Sequence, residues 1–272
     1  SRMNAIQARY GYAQTVDLAT LNPTLECLLQ HSSCRAFSDE AIPQSMRDTL
    51  YAAAQSAPSK SNLQQYSFLE VTEEHIRTQL MNWFPALAWA FGAPMLTFSL
   101  GDLHRNQVIS AHHGYEYNAH PEDAFLNAAV DAALATQALI TAAESQGFGT
   151  CPISQIRERL HEVADLLALP NGVFPICAVA IGLPASGAPS QVSPRLPADL
   201  VIHHNRYQPP SLEAITSYDA RFNEAKGLPK VRYPERFGEP NKPTWSDNVA
   251  RQTAVEERAQ LRDYLRLKGI LG

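Results

Sequence analysis

Residues 121–147 read PEDAFLNAAVDAALATQALITAAESQG, and the fold hangs on how this stretch is read. Pro121 suits a first helical turn, two acids follow it, and Gly147 closes the run. As one helix it spans about 39 Å at ~1.5 Å per residue. It is apolar on more than one face and nearly uncharged in its middle, so it should be buried on most sides. In a chain of 272 residues it is either a central core helix or one shared with a second subunit.

Upstream, NPTLECLLQH (22–31) and PQSMRDTLYAAAQSA (43–57) have helical starts. The polar loop PSKSNLQQ separates the second from YSFLEVT (66–72), an aromatic and β-branched strand; PMLTFSL (94–100) reads as another, ended by Gly101-Asp102. Downstream, FGTCPI precedes the amphipathic QIRERLHEVADLLAL, and the continuous apolar run GVFPICAVAIGLP (172–184) predicts a buried central strand. From about residue 185 the chain is rich in Pro and Ser. Residues 226–243 are basic and proline-rich, and one last helix is expected over 246–268, capped by Ser246 or Asp247. Helices and few strands, without βαβ alternation or internal repeats, predict an α+β domain.

The composition is that of a globular chain with a sizeable core: 45% hydrophobic, 18% charged, formal net charge −5. An acidic chain is a poor partner for nucleic acid. SRMNAIQ lacks the apolar run of a secretory leader. No stretch reads as ~18 consecutive apolar residues, so no membrane span is expected. Cys27, Cys34, Cys151 and Cys177 form no CxxC pair, which predicts reduced thiols and a cytoplasmic setting. His112, His113 and His120 fit no metal spacing. GxGxxG, Walker and GxSxG patterns are absent from the sequence.

Four segments could bind something. His31-Ser32-Ser33-Cys34-Arg35 is either a helix-end loop that cradles a phosphate or a solvated turn. Ser59-Lys60-Ser61-Asn62-Leu63-Gln64 is either a hydrogen-bonding loop for a polyol or heterocycle edge, or an ordinary polar turn. Gly147 to Ser154 either lets a flat ligand approach the backbone or simply caps a helix and starts a strand. Pro194-Arg195-Leu196-Pro197 either pre-organises a guanidinium or is a surface loop.

Taken in order, these segments resemble the nitroreductase family, in particular its NADPH-dependent flavin reductases and oxygen-insensitive nitroreductases. That group opens with His-Arg-Ser-x-Arg-x-Phe, where this chain has His31 to Phe37. Its Ser/Asn/Gln loop matches Ser59 to Gln64, and AAESLGLG matches AAESQGFG (142–149). PRLP matches 194–197, followed by His203, Tyr207, Gln208 and Pro209, and TWSD matches 244–247.

The resemblance implies an α+β nitroreductase-like fold, a mixed central sheet flanked by helices, in an entwined homodimer. It implies a core over 20–210 and an extension over 211–272 that embraces the partner subunit. It implies an oxidoreductase with FMN at the subunit interface, reduced by NADPH or NADH and reoxidised by quinones, nitroaromatics or flavins. The alternative is a flavin-binding member with specialised or little turnover. No catalytic side chain is expected, because the cofactor supplies the chemistry.

The implied FMN contacts are His31, Ser32, Ser33, Cys34, Arg35, Ser59, Ser61, Gln64, Trp89, Pro152, Ile153, Ser154, Gln155, Ser193 and Arg195. Arg35 and Arg195 are the implied phosphate cations. Lys226, Lys230, Arg232 and Arg236 fall where the group keeps arginines for the 2′-phosphate of NADPH. The chain also departs from the group. Ser32 replaces an arginine and Ser193 a lysine. Leu87-Ala88-Trp89 replaces a polar segment beside the flavin, and Pro152-Ile153-Ser154-Gln155 replaces Tyr-Ile-Gly-Gly.

Overall fold

Residues 121–145 do form one helix, and its apolar face is built mainly of alanine. Ala128, Ala132 and Ala135 are fully buried with Leu139. These small side chains let the helix lie close on the sheet. The computed structural model describes residues 2–11 and 16–272. In chain order, helices α1 (Arg2–Tyr10), α2 (Pro23–Gln30) and α3 (Gln44–Gln55) precede strand β1 (Tyr66–Glu70). Helices α4 (Glu74–Trp83) and α5 (Ala88–Phe91) lead to β2 (Met95–Asp102), followed by α6 (His104–His112) and the long α7 (Pro121–Ser145). Then come β3 (Gly149–Ile153), α8 (Leu160–Leu166) and β4 (Val173–Gly182). The chain ends with α9 (Leu212–Ala225), α10 (Pro234–Phe237), α11 (Trp245–Thr253) and α12 (Leu261–Leu267).

The chain folds as two compact units. Unit 1 is Ser1–Ser32 with Gln191–Glu257, and unit 2 is Ser33–Ser190 with Arg258–Gly272. Unit 2 holds a four-stranded sheet in the order β1-β2-β4-β3. Its strands pair antiparallel throughout, and parallel pairing enters only through the isolated bridge Ser33–Thr150. β4 is buried on both faces, as its apolar run predicts. Ala178 and Ala180 enter one core and Val179 and Ile181 the other. A buried hydrogen bond from Thr136 Oγ1 to Ser99 Oγ, 2.7 Å, ties α7 to β2.

Four expectations need correction. Gly101 and Asp102 lie inside β2 rather than ending it. A Cβ at Gly101 would fall 2.2 Å from the Phe174 ring, so glycine there makes room for an aromatic. The final helix is broken at 254–260 into α11 and α12. Arg258 has φ 59°, outside helical space, and its Nη1 reaches Glu158 Oε1 at 2.9 Å. The cap of α11 is Thr244, whose Oγ1 accepts the Asp247 N–H, while Ser246 is engaged by Asp219. Finally, α7 is long and apolar enough to cross a membrane by length and composition. Its nine buried residues place it in the core of unit 2.

Candidate functional site

The candidate site residues divide between the units. His31, Ser32, Ser193 and Arg195 belong to unit 1, and the others to unit 2.

In unit 1 the segment 193–195 is surrounded by cations. Arg9, on the buried face of α1, donates from Nη1 to the Ser193 carbonyl at 2.9 Å and from Nη2 to the His31 carbonyl at 2.7 Å. One guanidinium therefore holds together two candidate residues far apart in sequence. Arg195 folds back, with Nη1 3.3 Å from the Ser193 carbonyl. Arg221, on α9, donates to the carbonyls of Arg195 (2.5 Å) and Arg9 (3.1 Å). Lys226 Nζ lies 2.6 Å from Ser193 Oγ. Arg195 and Arg221 pair with no carboxylate among the described residues. Three cations, Arg9, Arg221 and Lys226, thus gather on the 193–195 segment, which itself carries a fourth, Arg195. Sequence reasoning missed Arg9 and Arg221, whose partners are mostly backbone carbonyls.

In unit 2 the motif segment runs beside β3. The Cys34 N–H donates to the Thr150 carbonyl at 2.9 Å, and Ser38 N–H to the Leu183 carbonyl at 2.8 Å. Gly149 makes this approach possible, since a Cβ there would lie 2.5 Å from Cys34 Cβ. Ser33, Cys34 and Arg35 are thus brought to Cys151, next to Pro152 and Ile153. Burial pushes the Cys151 thiol up, while the Arg35 guanidinium and a Ser33 hydrogen bond act in the opposite direction. The Arg35 side chain is exposed. The Phe37 and Trp89 rings pack with centroids 6.4 Å apart, so Trp89 joins the same edge. Ser154 and Gln155 follow at the end of β3.

Ser59, Ser61 and Gln64 lie in a loop organised by Asp131, the lone charge in the middle of α7. Asp131, 1% exposed, accepts from Ser59 Oγ (2.8 Å), Lys60 N (3.0 Å) and Gln65 N (3.0 Å). Arg105 braces the other side, donating to the Gln64 carbonyl at 2.7 Å. Held in this way, Ser61, Asn62 and Gln64 all adopt left-handed φ, between 50° and 54°. Such backbone costs about 1–3 kcal/mol per residue and persists only where the surroundings impose it. The loop borders a cavity of about 900 Å³ that Gln64, Gln65, Tyr66 and Arg105 help to line. The Gln65 side-chain nitrogen is buried there without a hydrogen-bond partner. Lys60 does not face this cavity's lining; its ammonium lies 3.8 Å from Asp123.

The chain thus carries one unit with a layered sheet, an alanine-faced core helix and a strained polar loop, and another in which cations gather at residues 193–195. The comparisons specify it. The profile of the Nitroreductase family matches residues 28–183, and that of the Nitroreductase family, C-terminal domain, matches 193–271. The chain belongs to the nitroreductase family. It is 32% identical to an oxygen-insensitive NADPH nitroreductase of Salmonella typhimurium, over 92% of this chain and 98% of the relative. An FMN reductase (NADPH) of Bacillus subtilis is 31% identical with the same coverage. Among solved structures, the NADPH:FMN oxidoreductase of Vibrio harveyi complexed with NAD+ superposes with a TM-score of 0.80. It is 30% identical and covers 91% of this chain and 98% of that one.

Proposed function

We propose that this protein is an FMN-dependent oxidoreductase that takes reducing equivalents from NADPH and passes them to quinones, nitroaromatics or flavins. The observation that carries the reading is the gathering of Arg9, Arg221 and Lys226 on the 193–195 segment that carries Arg195. A phosphate monoester, with nearly two negative charges, fits such a cradle. Bound FMN would supply the two-electron chemistry. The chain's own residues bind and orient. In unit 1, Arg195 and Ser193 would hold the phosphate, Arg9 fixes the Ser193 carbonyl beside that of His31, and Arg221 fixes the Arg195 carbonyl. In unit 2, Arg35 offers a cation for the phosphate, Ser33 and residues 152–155 offer a surface for the flavin body, and Gln64 on its braced loop offers an amide to a heterocycle edge.

Oligomeric state and location belong to the same proposal. On α7, Leu126, Val130 and Leu134 form an exposed stripe at helical spacing, at 58, 47 and 40% exposure. A second copy of the chain would cover that stripe, and the extension 211–272 would embrace it. Cys34, Cys151 and Cys177 carry no disulfide, in keeping with a reducing cytoplasm.

A narrower acceptor range is the second reading. It is favoured by Trp89 packed against Phe37, where the family group has a polar segment. The test is to reconstitute the purified chain with FMN and add NADPH without oxygen. Loss of the visible flavin band, then its recovery on adding a quinone or nitroaromatic, is expected. A chain that takes up no flavin contradicts the proposal.

A further inference from the structure

Two basic positions of the family group are serine in this chain, at 32 and 193. Taken position by position, the phosphate cradle has lost charge. The fold of unit 1 returns one of those charges from elsewhere. Lys226 is the residue immediately after α9. Gly227, at φ 69°, turns the chain there, and its N–H closes on the Phe222 carbonyl at 3.0 Å. The Gln191 side chain donates to the Ala225 carbonyl at 2.9 Å. This bond fastens the 191–195 segment to the end of α9. Across the junction the Lys226 ammonium meets Ser193 Oγ at 2.6 Å.

The chemistry of that contact is specific. An ammonium donates only, so the Ser193 hydroxyl accepts from it. The hydroxyl's own proton is then left to donate to an incoming oxyanion. A phosphate placed beside Ser193 would receive this O–H, lie within reach of the Lys226 ammonium, and share the field of Arg195.

We infer that Lys226 is a cofactor-phosphate ligand, its ammonium taking the place of the lysine that the family group carries at position 193. The inference rests on the proposed function above. It removes Lys226 from the group of residues expected to read the 2′-phosphate of NADPH. Of the others in that group, Arg232 lies 4.0 Å from Glu257, and the Arg236 guanidinium sits over the Phe237 ring.

The experiment compares FMN with riboflavin, which lacks the phosphate. Flavin-free protein is titrated with each at fixed ionic strength, and binding is read as quenching of flavin fluorescence. K226A should weaken FMN about tenfold, as one charge-assisted hydrogen bond at an exposed site does, and leave riboflavin affinity unchanged. The double variant K226A/S193K, which moves the ammonium to the family position, should recover FMN affinity. Unchanged FMN affinity in K226A overturns the inference, as does an equal loss for both flavins. A raised KM for NADPH with unaltered FMN binding also overturns it and returns Lys226 to the nicotinamide cofactor. Wild-type protein that binds neither flavin overturns the proposed function along with the inference.

Discussion

Asp131 on α7 and Ser59 at the start of the polar loop are joined by a 2.8 Å hydrogen bond across 72 residues of sequence. The same carboxylate accepts two backbone N–H groups of the loop. A core helix thereby sets the backbone of a segment that contains no glycine yet adopts three left-handed conformations.

Replacing Asp131 by alanine strands those donors in a buried place. Each buried donor left unsatisfied costs about 1–3 kcal/mol, so D131A should lower the unfolding free energy measured in urea by at least that amount. D131N, which keeps one carbonyl acceptor, should lose less. Equal stability of wild type and D131A would show that the loop does not depend on the helix.

Gly149 separates β3 from Cys34. A methyl group there meets Cys34 Cβ at 2.5 Å, and overpacking of this kind costs about 1–3 kcal/mol. G149A should lower stability by this amount and also weaken FMN, because the motif segment must move off the strand. Urea unfolding and a flavin titration on the same variant check both effects.

Arg35 is exposed and makes no side-chain hydrogen bond among the described residues. Its substitution should therefore leave folding almost untouched, within about 0.5 kcal/mol as for ordinary surface positions. As a proposed phosphate cation, Arg35 should be felt in binding: R35A should loosen FMN by roughly one power of ten or more. Fluorescence titration decides; unaltered affinity removes Arg35 from the site.

Stability should also respond to alkaline pH. Burial pushes the Cys177 thiol up to about 11 and raises the phenols of Tyr51 and Tyr264 above their ordinary value near 10. A raised folded pKa means that the unfolded chain loses these protons first. The contribution is whole below about pH 9 and is lost as pH climbs through the folded values. Urea midpoints should be flat from pH 7 to 8.5 and fall steadily above 9, with C177A falling later than wild type. A midpoint independent of pH up to 11 would contradict this.

The dimer proposal predicts that V130D/L134D on α7 sediments as a monomer at a concentration where wild type is dimeric. Both side chains are already exposed in a single chain, so the effect on the isolated fold should be small.

What could be read from the sequence was what is encoded locally. The long helix and the buried strand 173–182 follow from periodicity and from runs of apolar residues, and the first helices from their caps. Asp131 stands in a run that reads as nearly uncharged, and its role was not legible because its partners Ser59, Lys60 and Gln65 lie 66 to 72 positions earlier. The break at 254–260 was invisible because it depends on Arg258 meeting Glu158, 100 positions earlier. Arg9 was invisible for a related reason. Nothing in RMNAIQARY marks a guanidinium whose partners are the carbonyls of Leu29, His31 and Ser193. The left-handed backbone at Ser61, Asn62 and Gln64 had no glycine to announce it.

The division of unit 1 between Ser1–Ser32 and Gln191–Glu257 has a consequence for synthesis on the ribosome. The first 32 residues emerge with Arg9 and its helix but without Ser193, Arg195 or α9, which follow only after the whole of the sheet has been made. Chains are released N-terminus first, at about 5–20 residues per second, so this segment waits on the order of ten seconds or more for its partners. Unit 2 has its four strands in hand before then. The cation cluster at residues 193–195 accordingly forms after the sheet, and a chain truncated between residues 183 and 192 carries all four strands without it.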